Sequence, residues 1–213
     1  LYDEARARGD RFAATVSRVG LCYLAWLANG QPDKARREID AAMAEWDPNA
    51  FQIQHFSALM GHAHTDLYEQ RPSQVVARVL GAAVRVRRSL LWRMPFIRVQ
   101  LRDLEARAHL MLADRTSSAR RALHLARVRF LARRVRDERA PCHDPIADVL
   151  EAGVAHHTHN RARALLLFRS AESGFSTSGE QPRRDAAERE RRLLQGETVE
   201  CTRMDRTRGW APT

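Results

Sequence analysis

The amino-acid sequence predicts an all-α fold, in which antiparallel helical hairpins stack side by side as a solenoid. Three observations carry that expectation. Apolar residues between 51 and 113 recur at alternating steps of three and four, laying one apolar stripe on each of three successive helices. Prolines 32, 72, 95, 145 and 182 each stand where a new helix would begin. Proline is tolerated there because the first helical N–H groups have no intrahelical partner. The turns between helices also recur, at a period above 40 residues.

The elements follow in order. Leu1 to Arg8 reads as the end of a helix, broken at Gly9-Asp10. Ala13 to Ala28 reads as one helix, apolar nearly all round through Val16, Val19, Leu21, Tyr23, Leu24, Trp26 and Leu27, and so buried on more than one side. Asn29-Gly30 ends it, and Pro32 opens the next helix, which runs to about Trp46. Asp47-Pro48-Asn49 is a turn. Three amphipathic helices follow. Phe51 to Glu69 carries Phe56, Leu59, Ala63 and Leu67 on one face. Val75 to Leu91 carries Val76, Val79, Ala83, Val86 and Leu90, and Phe96 to Leu112 carries Ile97, Leu101, Leu104, Ala108 and Met111. Thr116 and Ser117 are candidate caps for a long helix to about Glu138. Asp144 offers a capping carboxylate to Ile146–His157, where Ile146, Leu150 and Val154 share a face. Arg161 to Phe175 is the next helix, Ser176 to Gly179 a loop, and Arg183 to Gln195 a last, highly charged helix. We therefore place a helical-repeat, tetratricopeptide-like domain over residues 1–195 and a disordered or loosely attached tail over 196–213.

Asn29, Glu69, Ala113 and His159 precede four similar turns, at intervals of 40, 44 and 46 residues. That spacing exceeds the ~34 residues of a tetratricopeptide repeat and overlaps other helix-pair arrays. Gly30 with Ala35 matches the glycine and alanine of the tetratricopeptide turn. One hairpin cannot bury its own apolar faces, so neighbours must stack. A non-repetitive helical bundle is the alternative.

The chain has 213 residues and a formal net charge of +10, almost all of it from arginine; Lys34 is the only lysine. Such a charge suits an acidic partner, nucleic acid or protein, and is equally what an Ala- and Arg-rich coding bias produces. Cys22, Cys142 and Cys201 are too few and too scattered for a disulfide framework, which fits a cytoplasmic protein. No apolar run reaches the ~18 residues of a membrane span. The chain begins at Leu1 with helical sequence, as a piece of a longer polypeptide would.

No catalytic residue, cofactor or metal is expected. His62 and Asp66 stand one turn apart beside His55 and His64, but two ligands from one helix do not make a metal site. His156, His157 and His159, with Cys142 and His143, match no standard zinc spacing. Cys142 beside His143 lacks an orienting third group. Three arginine rows stand out instead: Arg120, Arg127 and Arg134; Arg129, Arg133 and Arg136; Arg98 and Arg102. Few aromatics interleave with them, so base stacking is not indicated.

Several phrases, among them Arg8-Gly-Asp-Arg-Phe-Ala-Ala-Thr15, Leu24-Ala-Trp-Leu-Ala28, Asp33 to Trp46, Phe51-Gln-Ile-Gln-His-Phe56, Asp66-Leu-Tyr68 and Arg87 to Arg93, resemble one family. It is the C-terminal tetratricopeptide-like region of large bacterial serine/threonine protein kinases, which follows a kinase domain and an ATPase-like segment. The resemblance spans about residues 1–175 and implies a sensory or scaffolding role. No kinase residue carries over: there is no glycine-rich phosphate loop, no His-Arg-Asp loop, no Asp-Phe-Gly and no Walker loop. We expect a non-catalytic interaction module whose partner is a protein or the parent's own upstream domains. The expected contact residues are Gln52, His55, His62, Arg98 and Arg102. A nucleic-acid binder using the arginine rows is the alternative.

Overall fold

The computed structural model describes residues 2–46 and 49–200, and every regular element among them is helical. The helices are α1 (Tyr2–Ala7), α2 (Arg11–Val19), α3 (Cys22–Ala28), α4 (Pro32–Ala44), α5 (Ile53–Tyr68) and α6 (Pro72–Arg88). Then come α7 (Pro95–Asp114), α8 (Ser118–Arg136), α9 (Asp144–His157), α10 (Arg161–Ser178) and α11 (Gln181–Leu194). Short 3₁₀ turns at Leu90–Arg93 and Pro141–His143 lie before α7 and α9. All five prolines of the expected pattern fall in the first turn of a helix. Where the sequence reads as one array over 1–195, the chain forms two compact units, Leu1–Met94 and Pro95–Thr213.

In the first unit α4 packs on α3 and α5, α5 on α6, and α2 reaches both α4 and α5. Its centre is Val19, Tyr23, Leu27, Ile39, Phe56, Ala63, Leu67, Val75 and Val86, all buried. In the second unit each helix from α7 to α11 packs on its chain neighbours, and α7 also meets α9. One continuous cluster, including Val99, Leu110, Val128, Leu131, Leu150, Phe168 and Phe175, holds those helices together. Each buried leucine or phenylalanine contributes about 2 kcal/mol of apolar transfer, so the stripes read from periodicity are what bind hairpin to hairpin.

The turns have a common chemistry. Gly30, Gln70, His159 and Gly179 lie in the left-handed region. In each case the following N–H reaches a carbonyl five residues back: Gln31 to Trp26, Arg71 to Asp66, Asn160 to Ala155, Glu180 to Phe175. This is the Schellman closure of a helix C-terminus. The repeated turns at Gly30 and Gln70 thus share a geometry. The fourth shares it one residue earlier than the alignment places it, and the turn after Ala113 has no left-handed residue.

Several expectations are corrected. Ala13–Ala28 is two helices, broken at Gly20, whose backbone leaves the helix; a Cβ there would stand 2.7 Å from the Val16 carbonyl oxygen. The break turns Leu21 out to solvent. α6 ends at Arg88, so Leu90 falls in a 3₁₀ turn and leaves the apolar stripe, 76% exposed. α10 continues through Ser176–Ser178 and is closed by Gly179 in the left-handed region, where the Glu180 N–H bonds the Phe175 carbonyl. Asp144 is the first residue of α9 and not its cap, and Ser117 stands at the N-cap of α8 without a side-chain hydrogen bond. Residues 47, 48 and 201–213, with part of the expected turn, Cys201 and most of the tail, lie outside the described residues.

Candidate functional site

The most conspicuous polar features are carboxylates on one helix clasped by arginines of its neighbours. Asp66 on α5 has a side chain only 2% exposed; it accepts from Arg36 of α4 at 2.7 Å and Arg78 of α6 at 2.8 Å. Arg36 also binds Glu69. Asp148 on α9 accepts from Arg136 of α8 and Ser170 of α10, each at 2.6 Å. Glu105 on α7 accepts from Arg127 of α8 at 2.6 Å. Glu138, after α8, is held by both Arg98 and Arg102 of α7, with Arg98 Nε at 2.8 Å and Arg102 Nη1 at 2.5 Å. The Arg98 bonds, the largest influence, hold its carboxyl down at about 2. Each clasp joins helices that the apolar stripes already place side by side, so charge burial is compensated by direct pairing.

Arg98 and Arg102 therefore point to Glu138, with 19% and 11% of their side chains exposed. Gln52 accepts from Trp46 Nε1 at 3.0 Å, and its backbone N–H donates to His55 Nδ1 at 3.2 Å. His62 contacts Asp40 through Nε2 at 3.1 Å. Burial first, then Arg78, lowers the His62 imidazole below its ordinary 6.5, against the pull of Asp40. Within the first unit Gln52 and His55 bond each other while His62 turns to Asp40, and within the second Arg98 and Arg102 converge on Glu138. Each of these five expected contact residues is partly buried and engaged within its own unit.

The histidine clusters disperse in the same way. His64 bonds the Tyr23 hydroxyl at 2.8 Å and stacks on its ring. His157 lies 3.4 Å from Asp114. Cys22 and Cys142 are free and exposed. Among the described residues no three His, Cys, Asp or Glu side chains converge as a metal site would need. A pair that the sequence reading overlooks does meet: His109 on α7 and His124 on α8 face each other at 2.9 Å between Nδ1 atoms. Burial, then His124 and Arg127, drives His109 down to about 4. The pair is neutral at pH 7 and shares one N–H, which closes the α7–α8 hairpin with a hydrogen bond and no charge. Only hairpin geometry juxtaposes residues fifteen apart in this way, which is why spacing alone does not reveal them.

A cavity of about 140 Å³ in the first unit is lined by Tyr2, Arg6, Asp10, Arg11, Arg18 and Glu45, among others. Its charges are largely engaged: Arg18 reaches Glu38 at 3.0 Å and lies over the Tyr2 ring, and Arg11 binds the Glu45 carbonyl.

Several apolar side chains stay uncovered, among them Leu80 and Val84 on α6, and those on α8 lie along one stripe flanked by arginines. Leu125, Val128, Leu131, Ala132 and Val135 face the core, while Leu123 and Phe130, 71% and 49% exposed, stand on the outer side with Ala119 and Ala126. Ala119, Leu123, Ala126 and Phe130 are spaced four, three and four, a second apolar stripe on a helix whose first is already buried. The signal was present in the sequence, masked by the arginines between. No helix among the described residues is long and apolar enough to cross a membrane. No family model, no curated protein and no solved structure matches this chain.

Proposed function

We propose that this chain is a non-catalytic protein-docking module built of tetratricopeptide-like helical hairpins. In our reading it belongs to a bacterial serine/threonine kinase-type signalling protein and engages a protein partner or the parent's own upstream domains. One observation carries the docking reading. The buried carboxylates Asp66, Glu105 and Asp148, and the largely buried Glu138, are each consumed by arginines of a neighbouring helix, whereas the outer stripe of α8 presents Leu123 and Phe130 to solvent. Exposed apolar side chains in helical register mark a surface that gains by being covered. The contact therefore moves from Gln52, His55, His62, Arg98 and Arg102 to this stripe, because those five are already engaged inside their own units.

The test is a partner recovered by cross-linking in the source cells, then produced pure and titrated against the pure chain. Leu123→Asp with Phe130→Asp should remove that binding and leave the melting temperature unchanged. Alanine at Arg98 and Arg102, which clasp Glu138, should lower the melting temperature instead. Undiminished binding by the α8 variant would overturn the reading.

A further inference from the structure

We infer that the outer face of α8 seats an acidic amphipathic helix of a protein partner; this rests on the docking reading above and names the chemistry of the occupant. At about 100° per residue, Ala119, Leu123, Ala126 and Phe130 fall within one narrow sector of the helix. Their four-three-four spacing is the seam that a second helix covers with its own apolar positions. The seam runs from Ala119 to Phe130 within the 19-residue α8, about 18 Å or three turns of contact.

The flanks of that seam select the partner's charge. Arg120, Arg127 and Arg134 run along one side, and Arg129 and Arg133 along the other. Arg127 is held by Glu105 and lies over the Phe130 ring at 5.2 Å, and Arg134 reaches Asp137 at 3.3 Å. Arg120, Arg129 and Arg133 are exposed and form no ion pair among the described residues. A basic border beside an apolar seam is complementary to glutamates beside leucines. A second copy of this chain would set arginine against arginine across the seam, which disfavours self-pairing. Nucleic acid would satisfy the arginines but leave the leucine and phenylalanine covered by nothing.

The proposal is tested with the full chain and three synthetic peptides of about three heptads. One has a Leu/Ala seam flanked by glutamates, one has the same seam flanked by lysines, and one is a scramble of the acidic peptide. Fluorescence anisotropy should show the acidic amphipathic peptide binding about tenfold or more tighter than either other peptide. Its affinity should fall on raising salt from about 50 to about 300 mM. Arg129→Glu with Arg133→Glu, and separately Leu123→Asp with Phe130→Asp, should each cost about tenfold or more, with melting temperatures unchanged. Equal binding of the scrambled peptide, or of a duplex DNA of matching charge, would overturn the proposal in favour of a general polyanion surface. Failure of all three peptides would overturn it too. The docking reading would still stand if the purified cellular partner remained sensitive to Leu123→Asp with Phe130→Asp.

Discussion

Glu138→Gln isolates one clasp and gives it a pH signature. Glu138 is only 9% exposed in its side chain and accepts from Arg98 and Arg102, which tie the start of α7 to the end of α8. Its carboxyl is lowered from 4.5 to about 2, chiefly by the Arg98 bonds. Taken whole, that difference corresponds to ~3 kcal/mol. Solvent reaches both arginines in part, and screening brings the expected stabilisation to ~1–2 kcal/mol. The sign follows from linkage. A carboxyl depressed in the folded state contributes its full stability above the unfolded value near 4.5 and loses it as pH falls toward 2. Urea unfolding of the parent chain and of the Glu138→Gln variant should therefore differ by ~1–2 kcal/mol at pH 7. The gap should shrink to less than half by about pH 3 and nearly close by about pH 2. All other carboxylates titrate in both proteins and cancel. A gap independent of pH, or none at pH 7, would refute the view that this clasp holds the hairpin by charge.

Further outcomes follow from neighbouring geometry. Asp66→Ala strands Arg78 and leaves Arg36 with Glu69 alone around an empty, 2%-exposed site, and should cost ~3 kcal/mol by calorimetry, moderated because both arginines keep some solvent. Gly174→Ala would place a Cβ 2.3 Å from the Pro145 ring, which cannot swing aside, and should destabilise by ~1–3 kcal/mol. Gly81→Ala, mid-helix with nothing within 4 Å, should stabilise by up to ~1 kcal/mol in the same assay. His109, lowered to about 4 mainly by burial, should show no NMR titration midpoint between about pH 5 and 8, whereas an exposed histidine titrates near 6.5. Its neutral form is the one the fold favours, so this contribution is complete above about pH 6.5 and is lost as pH falls toward 4.

Much of this chain is legible without coordinates because helix formation is local. The apolar positions of α5, α7 and α9 follow from their spacing, and in α7 all five, Ile97, Leu101, Leu104, Ala108 and Met111, are buried. The prolines and the Gly30 turn marked helix starts and stops for the same reason: a missing N–H and a left-handed backbone act within a few residues. Where a competing local effect intervened, as at Gly20, the periodic signal ran straight through a real break.

The polar side was not legible, since an arginine row looks the same whether it meets solvent, a partner or a carboxylate on the next helix. Arg98 and Arg102 read as an open row until Glu138, at least 36 residues on, closes over them. So the sequence by itself determined most of the helices and the faces that must be hidden, through forces acting over one or two turns, while several helix ends fell elsewhere. Only the tertiary structure decided which charges neutralise one another and that apolar side chains such as Leu123 and Phe130 are left uncovered, because both depend on packing between segments far apart in the chain.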